Sequence, residues 1–212
     1  MDFFSRLTAL IAFLVCRGNR VGFHRYTSSP QDVNRVWEKL EAGGVMRGEG
    51  RTLLLINPNS SDIFPLRKWP LPYFAELCER LLQELPACSL VVTGMAAERA
   101  DARYILEQVQ DPRCVDFTGK TSFSELLALY SIAAMMVTND SGPAHFASLL
   151  SLPTIALFGP ETPRLYGPLG SRHSVYNGKK SSCTGNRCLK SILPDLVLRE
   201  PLAVIGKVPV DG

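Results

Sequence analysis

Residues 135–149 read MMVTNDSGPAHFASL, a short apolar run that passes directly into a capped helix. The run at 135–138 is typical of a strand that is covered on both faces. Asp140 or Ser141 can cap the helix that follows, and Pro143 is suited to its first turn. A strand, a tight turn and a helix in this order indicate one unit of a parallel α/β sheet.

The same alternation continues on both sides of this unit. Short connections between strands and helices favour right-handed βαβ crossovers, so we predict a Rossmann-like parallel sheet with flanking helices. Ser122 and Glu125 form a capping box at the start of one helix. Strands are predicted at 53–56, 90–93, 114–117, 135–138 and 154–158, and helices at 72–85, 97–109, 122–130 and 143–150.

The composition excludes several classes of protein. Among the 212 residues, 46% are hydrophobic and 20% are charged, which is incompatible with a disordered chain. The net charge of +3 is too small to indicate a nucleic-acid-binding protein. Six cysteines are too few for a disulfide scaffold, so we expect free thiols in a reducing compartment.

The front of the chain differs from the rest. Residues 3–15 are mostly apolar with helical spacing, and they are too short to span a membrane. A buried or interfacial helix is favoured over a targeting segment. A short strand is predicted at 20–25, and the polar stretch 27–49 is interpreted as a linker that contains a short helix. The domain boundary is placed near residue 50, so that 50–212 forms the main domain.

Because parallel sheets bind ligands at the carboxyl ends of their strands, the loops there are the candidate sites. After the first strand, residues 57–61 read NPNSS and are followed by Arg67, Lys68 and Trp69. Small hydroxyl residues followed by two cations could bind an anion. The alternative is a solvated turn with a packed tryptophan.

Three further loops follow strands. Glu98 could accept hydrogen bonds from a ribose, or it could simply complement a helix dipole. In residues 139–145, NDSGPAH, the helix amides and His145 could bind a phosphate, although the stretch is also an ordinary helix cap with a core histidine. Residues 158–163, FGPETP, form a stiff loop without an obvious catalytic group.

Five motifs together resemble glycosyltransferase family 9, which includes the ADP-heptose–lipopolysaccharide heptosyltransferases. They are NDSGPAHFA at 139–147, LFGPETP at 157–163, RKWP at 67–70, TGMAAE at 93–98 and FTGKTS at 117–122. The resemblance covers residues 50 to about 170. NPNSS at 57–61 departs from the Pro-Gly form that is usual in heptosyltransferases, so the heptose donor is less firmly implied than the family.

The resemblance implies a GT-B architecture, in which two Rossmann-like domains face each other across a cleft and the carboxyl-terminal one holds the donor. The donor would be a nucleotide sugar, possibly ADP-heptose, and no cofactor or metal would be needed because amides and cations neutralise the leaving diphosphate. Thr121 would border the base, Glu98 would contact the ribose, and the other residues would hold the diphosphate and the sugar. The implied donor-binding residues are Ser60, Ser61, Arg67, Glu98, Thr121, Asp140, Ser141, Gly142 and His145.

Residues 1–26 resemble a remnant of the family's amino-terminal acceptor domain. The part of that domain that would carry the general base, an aspartate, has no counterpart, and Asp2 does not match it. We therefore expect an inverting, heptosyltransferase-like enzyme by family, acting on a lipopolysaccharide or other glycan. The alternative is a truncated, catalytically incomplete fragment that binds a nucleotide sugar, and an unrelated Rossmann-like nucleotide-binding protein is disfavoured because G-x-G-x-x-G and P-loop motifs are missing.

The same resemblance bears on the cellular location of the protein and on its cysteine-bearing tail. We expect a cytoplasmic protein, with peripheral contact to the inner membrane through its acceptor and no nucleic-acid partner. Residues 182–188, SCTGNRC, resemble a tail found in some members of the family. Cys183 and Cys188 could supply half of a metal site, but free thiols are favoured.

Overall fold

The computed structural model describes residues 26–48, 50–60, 65–159, 167, 173–177 and 187–205. The strands are β1 (Thr52–Asn57), β2 (Cys88–Val92), β3 (Cys114–Asp116), β4 (Met135–Asn139), β5 (Thr154–Phe158) and β6 (His173–Asn177). The helices are α1 (Pro30–Ala42), α2 (Leu71–Glu84), α3 (Arg99–Val109), α4 (Phe123–Ile132), α5 (Gly142–Leu149), α6 (Arg187–Lys190) and α7 (Pro194–Ile205). Two 3₁₀ turns, Pro65–Arg67 and Ala96–Glu98, follow β1 and β2.

The strands form one sheet in the order β3-β2-β1-β4-β5-β6, and every neighbouring pair is parallel. This is the order of the doubly wound dinucleotide-binding fold, so the predicted Rossmann-like sheet is confirmed. The five predicted strands and four predicted helices appear within two residues of their expected ends. Ser122 caps α4 as predicted: its hydroxyl accepts from the Glu125 amide at 3.3 Å, while its own amide donates to the Glu125 carboxylate at 2.7 Å.

Side chains alternate between two apolar layers, one on each face of the sheet. Leu54 and Ile56 face α2, α3 and α7, whereas Leu53 and Leu55 face α1, α4 and α5. The central strands are thus buried on both sides, which explains why their sequences are continuous apolar runs rather than alternating ones.

The carboxyl-terminal elements were not predicted. β6 pairs with β5 at the edge of the described sheet, and α7 packs Val197 and Leu198 on the layer that contains α2. Pro201 lies inside α7, and an internal proline normally indicates the end of a helix. The sequence pattern at 194–205 therefore did not predict a helix.

The interpretation of residues 27–49 as a linker is corrected by the packing of α1. Val36 and Leu40 on this helix, and Val45 just after it, are at most 3% exposed and belong to the same apolar layer as Leu53. Residues 30–45 are therefore part of the described core, and the boundary near residue 50 does not separate them from it. The helix and strand predicted at 3–15 and 20–25 lie outside the described residues.

A buried carboxylate joins α1 to α4. Glu125 is 8% exposed at its side chain and accepts a hydrogen bond from Lys39 Nζ at 2.8 Å. Burial raises the pKa of Glu125, but the hydrogen bonds from Lys39 and Ser122 outweigh it and leave the pKa below its ordinary value. Lys39 also donates to the Lys120 carbonyl at 2.9 Å, so one cation fastens α1 to the start of α4.

The thiols in the described residues are free. Cys78, Cys88, Cys114 and Cys188 are all buried, as expected for reduced cysteines, and Cys16 and Cys183 lie outside the described residues. Burial raises the pKa of Cys88 to about 12, so this thiol stays protonated and unreactive at neutral pH.

Two features are missing from the described ranges. None of the helices there has the length and apolar character needed to cross a membrane. No three His, Cys, Asp or Glu side chains in the described part of the chain converge on a point where they could hold a metal ion.

Replacing Glu125 with Gln should lower the free energy of unfolding by about 1.5 kcal/mol at pH 7, because charge-assisted bonds to Lys39 and Ser122 are lost. Since the folded pKa of Glu125 is depressed, its contribution is present above the unfolded pKa of about 4.3 and is lost as pH falls through the folded pKa. Urea unfolding of both proteins between pH 3 and 7 should show the difference shrinking at the acid end. Glu38→Gln, on the exposed face of α1, is the matched control and should change stability by less than about 0.5 kcal/mol.

Candidate functional site

The candidate site lies at the carboxyl ends of β1 and β4, where the chain leaves the sheet towards opposite faces. β1 and β4 are neighbours, with Asn57 level with Thr138, yet β1 leads to α2 on one face and β4 leads to α5 on the other. The two diverging connections open a crevice at the carboxyl edge of the sheet, and in doubly wound folds this switch point is where ligands bind.

A single side-chain amide ties the two connections together. Asn139, at the end of β4, is fully buried; its Oδ1 accepts from the Trp69 backbone N–H at 2.9 Å, and its Nδ2 donates to the Pro58 carbonyl at 2.7 Å. The segment that follows β1 is therefore held to β4 at two points, one on each side of residues 59–68.

Trp69 anchors this segment from the other side. Its indole packs edge-on against Phe74 and Tyr73, with ring centroids 4.8 and 5.6 Å away, and its Nε1 donates to the Ile192 carbonyl at 2.9 Å. The side chain is 1% exposed. The packed tryptophan that the sequence offered as an alternative to an anion site is present, and it holds the adjacent cations in place.

Arg67 and Asp140 meet at the switch point. Arg67 ends the 3₁₀ turn after β1, and its Nε lies 3.8 Å from Asp140 Oδ2. The Arg67 side chain keeps 23% of its surface exposed, whereas that of Asp140 keeps 5%. The guanidinium thus lies beside a nearly buried carboxylate and is itself partly exposed.

The start of α5 lies next to this pair. Ser141 is the N-cap residue by position, but its side chain makes no hydrogen bond to the helix; the hydroxyl donates instead to the Asn139 carbonyl at 3.2 Å. Of the two expected capping residues, Asp140 and Ser141, the N-cap position is taken by Ser141, without a capping hydrogen bond from its side chain. Gly142 is the first residue of the helix, and half-buried His145 is the fourth, one turn in. A helix start without a side-chain cap from Ser141 leaves its dipole available to an anion.

The ends of β1 and β2 make a second polar group beside the first. Asn57 and Asn59 both donate to the Thr93 carbonyl, at 3.3 and 3.4 Å. The half-buried Glu98 accepts from the Met95 N–H at 2.6 Å, which shapes the turn before α3. Gly94 lies between these groups, because a Cβ there would be 2.5 Å from Asn59 Nδ2 and 2.9 Å from Glu98 Oε2.

Thr121 lies further along the same edge, in the β3–α4 connection, and is half-buried. Gly119 just before it has a φ of +67°, and its N–H donates to the Gly94 carbonyl at 2.8 Å. A side chain at this position would also collide with Ala96, so only glycine lets the two connections lie against each other. Thr121 is three strands from β4 in the sheet, about 14 Å at the usual strand spacing.

The structure brings together some of the candidate residues and spreads the others along the edge. Arg67, Asp140, Ser141 and Gly142 surround the switch point, and Ser60 lies buried three residues after β1. Glu98 and Thr121 follow at the ends of β2 and β3. Ser61 is outside the described residues.

Sequence reasoning gave no role to Asn139 or Asn59, although both stood in quoted motifs. A buried asparagine directly after a strand is a signal for a staple between loops, because an amide can both donate and accept. The partners of Asn139, however, are backbone atoms of Pro58 and Trp69, and a sequence does not reveal such partners.

This edge carries the groups needed to bind an extended ligand with an anionic end. The guanidinium of Arg67 and the amide end of α5 would face the anion, while the polar groups of β2 and β3 would face the remainder of the ligand. A doubly wound sheet with such an edge is typical of the nucleotide-binding half of a GT-B glycosyltransferase.

Comparisons with known proteins support this class. The structure of the E. coli ADP-heptose LPS heptosyltransferase II matches with a TM-score of 0.71 and 26% identity, over 86% of this chain and 54% of that one. A family 9 glycosyl transferase from Veillonella parvula has the same fold, with a TM-score of 0.74 and 21% identity, over 86% of this chain and 54% of that one.

The sequence comparisons name the family. The sequence model of glycosyltransferase family 9 (heptosyltransferase) matches residues 10–194, so the chain belongs to this family. A lipooligosaccharide heptosyltransferase 2 from Haemophilus influenzae is 30% identical over 152 residues, which are 70% of this chain and 43% of the relative. The chain spans about half or less of the length of the relatives that it matches.

Replacing Gly94 with Ala should lower the free energy of unfolding by about 1–3 kcal/mol, because the new Cβ would overlap the buried Asn59 amide. Gly48→Ala is the matched control, since a Cβ there meets only the Arg51 side chain at 3.7 Å. Urea unfolding measures both changes. If Gly94→Ala were as stable as the Gly48 variant, Asn59 would not lie against Gly94 as described.

Proposed function

We propose that this chain is the donor-binding half of a sugar transferase that uses a nucleoside-diphosphate sugar. The observation that carries the proposal is the Arg67–Asp140 pair beside the start of α5, at the switch point of the sheet. The acceptor would be a lipopolysaccharide or another glycan. The relatives' names favour heptose as the sugar and ADP-heptose as the donor.

The chemistry of the proposal is stabilisation of a leaving group. As the glycosidic bond to the diphosphate breaks, negative charge develops on the departing oxygen. Arg67 and the amides at Gly142 would face that charge without moving, and such preorganised donors stabilise a transition state more than flexible ones do. Asp140 would keep the guanidinium turned towards the crevice. No metal ion is required for this arrangement.

The remaining donor contacts follow the edge of the sheet. Glu98 would bind the ribose through the carboxylate that already shapes the turn after β2, and Thr121 would border the base. Ser60, Ser61 and His145 would lie around the diphosphate and the sugar. The separation of Thr121 from Asp140 along the edge suits a nucleotide that lies across the strand ends.

The general base is proposed to come from outside these residues. In an inverting transfer, a carboxylate must lie within hydrogen-bond reach of the attacking acceptor hydroxyl. Among the described residues, the candidate carboxylates are Asp140, which lies beside Arg67, and Glu98, which accepts from the Met95 N–H. Both carboxylates are thus engaged by other groups of this chain.

The second candidate function is nucleotide-sugar binding without turnover. It is favoured by the engagement of both described site carboxylates within the chain, Asp140 with Arg67 and Glu98 with the Met95 N–H. We place either form in the cytoplasm, in peripheral contact with the inner membrane through a lipid-linked acceptor.

ADP should stabilise the protein against thermal unfolding, by about 2.7 kcal/mol at a hundredfold excess over its Kd. Gly142→Val should abolish this shift, because a branched side chain at the start of α5 would block an anion from the helix amides. Gly48→Val, at an open position far from the crevice, should keep it. A melting temperature unchanged by ADP, by other nucleoside diphosphates and by nucleotide sugars would rule out the donor site.

Residues 1–212 should bind a nucleotide sugar but transfer it poorly, because the base and the acceptor contacts are proposed to come from elsewhere. Release of nucleoside diphosphate, measured with and without acceptor glycolipid, tests this. Joining the chain to a complete amino-terminal domain from a relative should raise acceptor-dependent release. Fast acceptor-dependent release by residues 1–212 alone, lost in Asp140→Asn, would instead identify Asp140 as the base.

A further inference from the structure

We propose that Asn139 is a positioning residue for the diphosphate site, which acts by setting the place of Arg67. The inference rests on the proposed donor site and adds a residue to it. Asn139 itself does not face the crevice: it is 0% exposed and both ends of its amide are used by backbone groups.

The orientation of the amide is determined by its partners. The Trp69 N–H can only donate and the Pro58 carbonyl can only accept, so Oδ1 must face Trp69 and Nδ2 must face Pro58. The reversed amide would oppose donor to donor and acceptor to acceptor. An ionised aspartate cannot donate to the Pro58 carbonyl, and leucine can make neither bond.

The link from Asn139 to Arg67 is short. Arg67 precedes Trp69 by two residues, so the bond at the Trp69 N–H places the backbone from which the guanidinium extends. On the other side, Asn139 is followed at once by Asp140, the carboxylate that orients the same guanidinium. One amide thus determines the distance between the two members of the ion pair.

The contacts of the Trp69 side chain act in a different direction from the Asn139 bonds. The Trp69 ring packs against Phe74 of α2, and its Nε1 donates a hydrogen bond to the Ile192 carbonyl. These two contacts hold the segment to the layer of α2 and α7. Those contacts place the segment relative to one face of the sheet. The Asn139 bonds place it relative to β4, which is where the start of α5 presents its amides.

The test compares ADP, which carries the diphosphate, with adenosine, which does not. Asn139→Leu keeps the volume of the side chain and removes both bonds; Asn139→Ser is a milder variant in case the first does not fold. Either change should weaken ADP binding about tenfold, which is the effect expected when one charge-assisted contact to the diphosphate is lost. Adenosine binding should change by less than about twofold.

A double-mutant cycle separates positioning from general destabilisation. If Asn139 acts through Arg67, Asn139→Leu should weaken ADP binding by less than about twofold in a protein that already carries Arg67→Met. Thr154→Val is the matched control, because it removes a buried hydrogen bond of 2.9 Å at the opposite edge of the same sheet and should leave the ADP-to-adenosine ratio unchanged.

The outcomes are distinct. Equal losses of ADP and adenosine affinity in the Asn139 variants, or fully additive losses in the cycle, would overturn the positioning role while leaving the donor site intact. Failure of the unaltered protein to bind ADP would overturn the donor site and this inference together.

Discussion

The buried amide of Asn139 is the constraint on which the crevice depends. A backbone N–H and a carbonyl that are removed from water must be paired, and here one side chain pairs both across the switch point. Losing that side chain would leave two buried polar groups unsatisfied and would release the Arg67 segment from β4. Stability and site geometry therefore depend on the same two hydrogen bonds.

The carboxyl edge concentrates buried polar residues in an otherwise apolar sheet. Thr93, Thr138 and Asn139 are at most 2% exposed, and they lie at the carboxyl ends of strands that are otherwise mostly apolar. Removing these polar side chains from water costs free energy unless they form hydrogen bonds within the protein. The same hydrogen bonds restrict the motion of the side chains. That rigidity suits a site whose proposed task is to meet a developing charge without reorganising.

The candidate residues were predictable to the extent that they follow strands. Arg67, Glu98 and Asp140 were identified as candidates because the alternation of strands and helices places loops at one edge, and because their motifs match a family pattern. Asn139 was not found, since its partners are backbone atoms 70 and 81 residues away. The packing of α1 was also missed, because its polar outer face is more prominent in the sequence than the two buried positions Val36 and Leu40.

The sequence by itself determined the class of fold, the position of most elements and the family, because apolar periodicity and short-range capping are local properties. Tertiary structure decided which strands are neighbours and therefore which loops form the crevice. β1 and β4 are adjacent although Asn57 and its neighbour Thr138 are 81 positions apart in the chain, with β2 and β3 between them. The pairing of Arg67 with Asp140 follows from that adjacency, because a contact between distant segments depends on the whole sheet being assembled.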